Sequence, residues 1–483
     1  MRFQGQPRRL TTLPLAAATF FIVSGGPYGL EEIVAGHGYA ATLGLLLATP
    51  LAWSLPVALL VGELSSALPR TGGYYVWVRR GLGPFWGLQE AWLSLAVTVV
   101  DLAIYPAMLV AYLGQLLPGL ARVEVGSPGW AAALAMIALC LLWNLAGIRA
   151  VGIGSEWVGA LVLLPFAVMV AVAAAALPAG GWERLAASLA APAPAADGSA
   201  WVAGIMVCIW NYMGWDNAST FAGEVEDPGR SYPRAMLLGV LLVAACYLLP
   251  VLAAAVVGFP PQGWETGTWV EVARRFGGAP LAGLVVAGGA VTVVGMFNAI
   301  LLSWSRLPVA LAEEGWLPAA FARRSARTGA PVISLATGAL LCATCVGMGL
   351  RRLIEIDVLI YGASLVLEFA ALAALRIREP DLERPFRVPG GLAAACALGV
   401  PPTVLFALGA YWVWGEPAAL GLTAGEVGLA VAAAGLVWWL GGRGAARPLL
   451  AGGPATSPAE PSAGPPPAAG ADPPGAGPLP PEA

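Results

Sequence analysis

Apolar runs recur along this chain almost from end to end, and each is long enough to cross a hydrocarbon layer as a helix. Residues 237–257, "LLGVLLVAACYLLPVLAAAVV", show the pattern. A bilayer core takes about 20 apolar residues in a helix. Only a helix or a closed barrel satisfies its own backbone in lipid. Composition agrees: 58% of the 483 residues are hydrophobic and 11% are charged, against about 25% charged in a soluble domain. The expected fold class is an all-α polytopic membrane protein. Twelve spans fit, at 13–36, 40–67, 84–117, 129–149, 151–177, 200–222, 233–257, 280–312, 331–349, 352–377, 392–414 and 420–441. The opening "PRRLTTLPLAAATFF" reads as the first span rather than a cleaved leader, because further spans follow and no small-residue cleavage pattern fits.

Three regions are expected: a tail over 1–12, a membrane domain over 13–443, and a Pro/Ala/Gly-rich tail over 444–483 too poor in apolar anchors to fold. Every lysine-or-arginine position is arginine. Arg122, Arg184, Arg274, Arg275, Arg351 and Arg352 fall on one side of the predicted spans, and the other nineteen of the 25 fall on the side of the N-terminus. Positive charge stays inside, so both termini are expected in the cytoplasm of a cell-membrane protein with the lipid bilayer as its partner.

Several functions are excluded by what is missing. Without lysine there is no nucleotide-binding P-loop and no Schiff base. One histidine, His37, leaves no histidine-based metal or triad chemistry. Cys342 and Cys345 have metal-like spacing but no second Cys/His pair, so packing is the expected role of all six cysteines. A net charge of −3 with no basic block gives nucleic acid nothing to bind. No enzyme activity, cofactor or metal is expected.

One stretch violates the membrane pattern. "SGGPYGLEEIV", residues 24–34, sets helix breakers and two glutamates after a membrane-type run. Irregular backbone at membrane depth survives only where protein buries it or where it lines a cavity. Span 6 has a matching interruption, "WNYMGWDNASTFAGEVEDP", with Asn211, Gly214, Asp216 and Asn217 clustered in an apolar run. Spans 1 and 6 each open a set of five. Two broken helices at matching positions of two inverted five-helix repeats mark the binding site of a secondary transporter. The candidate substrate-binding residues are Ser24, Gly25, Gly26, Gly29, Glu31, Glu32, Asp101, Tyr105, Asn211, Trp215 and Asp216. Asp101 lies in mid-span, where an ionisable group is a functional candidate by default. Glu63 is expected to pair with Arg70 or Arg80. Glu90 is expected to be structural or gating, Glu156 to sit at a solvated helix start with proton coupling as the alternative, and Glu368 has no clear role.

At these residues the chain resembles the amino acid–polyamine–organocation permease superfamily, and within it the polyamine uptake group known from plants. The likeness is carried by "VSGGPYGLEE" in span 1, "GGYYVWVRRGLGPFWGLQEAW" at 72–92, "DLAIYPAML" at 101–109 and "WDNASTFAGEVEDPGRSYPRAM" from Trp215. "VGMFNAILLSWSRLPVALAEEGWLP" at 294–318 and "ERPFRVPGG" at 383–391 extend it to span 11. The resemblance implies a leucine-transporter-type fold, two inverted five-helix repeats plus two helices. It also implies a structural gate at Glu224 and Glu226. Glu32 stands where aspartate is expected, and "NYMGWD" departs from the group's pattern before Trp-Asp.

The function expected is secondary active import of a small amine-bearing solute, polyamine or amino acid. A broad-range amino acid permease or antiporter, or a receptor on a transporter fold, are the alternatives. The carboxylates Glu31, Glu32, Asp101 and Asp216 exceed what a neutral amino acid needs and favour a cation. Sodium sites in this fold use span 1 carbonyls and two span 8 hydroxyls, but Ser303 and Ser305 lie about 200° apart around a helix and cannot share an ion. A proton needs one buried carboxylate; Glu31, Glu32, Asp101 and Asp216 are the candidates, and proton symport is expected.

Overall fold

The computed structural model describes residues 10–70, 72–120, 123–146, 155–192, 198–419 and 421–442. The two expected tails, apart from residues 10–12, lie outside the described residues, as do Arg122 and Arg149; the side chains of Glu156 and Glu224 are likewise not described.

Helix α1, Thr12–Val23, stops at Ser24, and the chain runs without helix to Leu30. Helix α2, Glu31–Thr49, bends at Gly38, whose φ of 69° is the left-handed region glycine tolerates. A π-turn at Pro50–Ser54 carries it into α3, Leu55–Ala67. A short α4, Gly73–Leu82, precedes α5, Pro84–Gly114. Then come α6, Pro128–Leu145, α7, Ser155–Ala176, α8, Trp182–Ala190, and α9, Gly198–Asn211. A 3-10 segment over Trp215–Glu224 leads to α10, Pro228–Val256. Helix α11, Trp269–Glu313, is kinked at Gly277 and Gly278. The last four are α12, Val332–Cys345, α13, Leu350–Arg378, α14, Gly391–Val413, and α15, Ala424–Gly442. A small antiparallel pair, β1 (Pro417–Ala419) with β2 (Leu422–Thr423), joins the last two.

Among the described residues nine helices are long and apolar enough to cross a membrane. This is a multi-pass, mostly helical membrane protein. Three of the twelve expected stretches do not form uninterrupted helices of that length, for local reasons. Span 1 is cut by Ser24–Leu30. Span 6 is cut after Asn211. Span 9 ends in a 3-10 turn at Val346–Met348, followed by Gly349 at φ 82°. Exposed leucines such as Leu47, Leu51, Leu139, Leu241 and Leu340 ring the outside, where a soluble protein would carry charge. Helix α5 is the most enclosed, with 72% of its apolar window buried, while α14 at 17% is peripheral. Helices α11, α13 and α4 pack around α5, so side chains on α5 meet the centre of the molecule.

The expected partners of Glu63 are replaced. Its buried carboxylate takes Arg376 Nε at 2.9 Å and Nη2 at 2.5 Å, the Val388 N–H at 2.8 Å, and Arg384 at 3.4 Å. Arg80 instead makes a two-pronged pair with Glu379, at 2.9 and 2.6 Å, and holds that carboxyl below the usual range. The ends of α3 and α13 meet, so residues far apart in sequence are nearer than the loop arginines.

Candidate functional site

The first break is held by its own neighbours. Ser24 Oγ accepts the Gly26 N–H at 3.2 Å. The Glu31 carboxylate accepts N–H bonds from Gly29 at 2.7 Å and Gly267 at 3.0 Å, and the hydroxyl of Tyr112. Trp269 donates to the Pro27 carbonyl at 2.7 Å, and Tyr28 to that of Val285 at 3.2 Å. Backbone groups freed by the break are thus paired, as burial demands. Gly29 has φ 90°, and a Cβ there would sit 2.9 Å from the Trp210 ring. The second break is pinned by tyrosines: Tyr247 donates to the Asn211 carbonyl at 2.8 Å, and Tyr361 accepts the Gly214 N–H at 3.0 Å. Gly214 has φ 92°.

Between the breaks lies a cavity of about 390 Å³. Gly25, Gly26, Asp101, Tyr105, Asn211 and Asp216 of the expected site line it. Ser24, Gly29, Glu31, Glu32 and Trp215 do not. Glu31 is spent on the backbone of the break, and Glu32 accepts from Thr266 at 3.2 Å. Trp215 is fully buried, its indole N–H on the Tyr212 carbonyl at 2.7 Å. The cavity extends toward the end of α11 at Arg306 and Leu307. From Tyr28 in the lining a series of edge-on rings runs on: Tyr28 on Tyr112 and Phe166, Phe166 on Trp269, and Trp269 on Trp264, with centroids 5.0–5.5 Å apart.

Two carboxylates, Asp101 and Asp216, face this cavity between the breaks, and one cation, Arg306, lies at its α11 end. Asp101 takes the Trp210 indole N–H and the Tyr105 hydroxyl, both at 3.4 Å. Asp216 takes the Tyr361 hydroxyl. Among the described residues no arginine forms an ion pair with either; the arginines that do form ion pairs engage Glu63, Asp227, Glu271, Glu314, Glu355, Glu379 and Glu416. A buried carboxylate without a cation is costly unless it gains a partner or a proton. A cationic ligand supplies the partner. Sequence reading did not find Tyr74, Trp210, Tyr247, Thr292, Met296 or Tyr361, which also line the cavity. Trp210 and Tyr361 flank the second break in sequence and in space respectively; only the first had a sequence signal.

Known proteins resemble the chain over the same residues. A family model described as amino acid permease matches residues 17–439. The polyamine transporter PUT1 of Oryza sativa subsp. japonica is 36% identical over 405 residues, covering 83% of this chain and 73% of the relative. The polyamine transporter RMV1 of Arabidopsis thaliana is 32% identical over 405 residues, 84% of this chain and 80% of its own length. A probable polyamine transporter of Arabidopsis thaliana is 36% identical over 408 residues, with 83% and 81% covered. These relatives are permeases and transporters, not enzymes. With both breaks and the cavity between them inside the matched residues, this chain belongs to the amino acid permease family.

Proposed function

We propose that the chain is a secondary active transporter that imports small amine-bearing solutes, polyamines first, by proton symport. The observation that carries this is the pair Asp101 and Asp216, which line the cavity with no arginine partner among the described residues. An α-amino acid brings its own carboxylate and would meet this surface with a like charge. A di- or triammonium ion brings the cations that Asp101 and Asp216 lack; Arg306, the cation in the lining, forms no ion pair with either among the described residues. The printed names of the plant relatives support the same class. In this reading the fold is of the leucine-transporter type, with two inverted five-helix repeats plus two helices. Twelve spans result when each of the two broken helices counts as one and the shorter Val332–Met348 is added to the nine long helices. Both termini are cytoplasmic and the membrane is the plasma membrane.

A thermal-shift panel on purified protein tests the substrate class. Putrescine and spermidine should raise the unfolding temperature at concentrations where alanine and leucine do not; a ligand at 100 times its Kd stabilises by about 2.7 kcal/mol. Stabilisation by the zwitterions alone would overturn the class. Topology has its own test. In a cysteine-free background, Gln262→Cys should react with an impermeant maleimide added outside intact cells. Ala326→Cys should react only after permeabilisation. Both positions are exposed. The reverse pattern would invert the orientation.

A further inference from the structure

Helix α13 carries Asp357, Tyr361, Ser364 and Glu368 at steps of four, three and four residues, so they form one stripe. The stripe faces α5. Ser364 Oγ donates to Glu90, and Asp357 is within electrostatic reach of Asp101 and Tyr105. Glu368 is within the same reach of Glu90 and Asp216. Asp357 is fully buried, and among the described residues neither of its carboxylate oxygens has a hydrogen-bond partner. One oxygen of Glu90 and one of Glu368 share that condition.

Among the described residues, no cation on the surrounding elements answers Asp357. Arg351 and Arg352, at the start of α13, are held by Glu355. Arg79 and Arg80 of α4 are held by Glu314 and Glu379. Arg376, at the far end of α13, is held by Glu63 of α3. Glu426 of α15 binds the Thr423 N–H. Helices α9 and α14 carry no acidic or basic side chain. What faces Asp357 is therefore Asp101, the Tyr105 hydroxyl and apolar surface. Two carboxylates within electrostatic reach in such a site resist ionising together, so one of the pair keeps a proton.

We propose that Asp357 carries the coupling proton, with Asp101 as its route to the cavity. Protonated Asp357 leaves the pair's one negative charge on Asp101, where the substrate's ammonium group binds. Amine and proton cross together. Once the ammonium has left, the Tyr105 hydroxyl, which donates to Asp101 and lies within electrostatic reach of Asp357, gives its proton to Asp101 and takes the one Asp357 releases; Asp101 then yields its proton to cavity water, so that only O–H bonds break and form. This rests on the reading of proton-driven amine uptake above. It adds a residue that does not line the cavity and whose charge a substrate never touches directly.

The test uses the full chain in proteoliposomes with labelled putrescine. The unmodified protein should accumulate putrescine under an inward proton gradient and should also exchange external for internal putrescine without one. Asp357→Asn mimics the protonated form permanently: exchange should persist, while proton-driven accumulation is lost and the inside level stops at the outside level. Asp357→Glu should restore accumulation. Accumulation by Asp357→Asn equal to the parent's would overturn the proposal. So would loss of exchange together with accumulation, which marks a structural or binding role. If the unmodified protein exchanges putrescine but never accumulates it under a proton gradient, the proton-driven reading itself fails and this inference falls with it.

Discussion

Asp101→Asn is expected to weaken putrescine binding about 100-fold, roughly 2.7 kcal/mol, at unchanged or slightly raised thermal stability. The loss is large because an ammonium–carboxylate contact in a water-poor cavity is a charge-assisted bond. Stability should hold because the parent carboxylate has no cation among the described residues. The Trp210 N–H can still meet the amide oxygen, and the Tyr105 hydroxyl can turn to accept from the amide NH2. Asp216→Asn should behave similarly, with Tyr361 as the donor left behind. Calorimetric titration of the purified variants checks both. An affinity for every amine equal to the parent's would remove Asp101 as counter-ion.

Glu63→Ala should destabilise the protein by about 3–5 kcal/mol, the usual cost of leaving one member of a buried ion pair behind. Arg376 is 6% exposed, so its guanidinium cannot turn to water. Glu63 also takes the Val388 N–H, which would lose its acceptor. The loop carrying Pro385 and Phe386 packs on Gly62 and Gly229, so the damage should centre on that end of α3, α10 and α13. A double variant, Glu63→Gln with Arg376→Met, should lie closer to the parent than the sum of its singles, because the pair is coupled. Unfolding temperatures in detergent are the readout, and a single Glu63→Ala variant as stable as the parent would contradict the pairing.

Local chemistry made the membrane class and the two breaks legible. Glycine and proline inside apolar runs admit few readings at membrane depth, and both interruptions occur where they were placed. Asp101 stood out as a lone charge in mid-span. Which helices meet was not legible. Glu63 was matched to loop arginines near in sequence, while its partners come from the far end of α13. Glu31 was expected at a ligand, yet its carboxylate binds Gly29, Gly267 and Tyr112. Nothing in "GLEE" separates a ligand contact from a backbone clamp. Asp357 was passed over although its spacing to Tyr361, Ser364 and Glu368 was readable as one polar stripe. Only the packing of that stripe on α5 gives it meaning. Span 9 was drawn as a full helix because hydropathy averages over the turn and the glycine that end it.

Uptake into proteoliposomes tests the central claim most directly: amine import driven by protons through this chain alone. Vesicles holding the purified protein, loaded at pH above the outside medium and free of sodium, should concentrate labelled putrescine, and a protonophore should abolish the gradient. Uptake that follows an imposed sodium gradient at equal pH, and persists with the protonophore present, would contradict it.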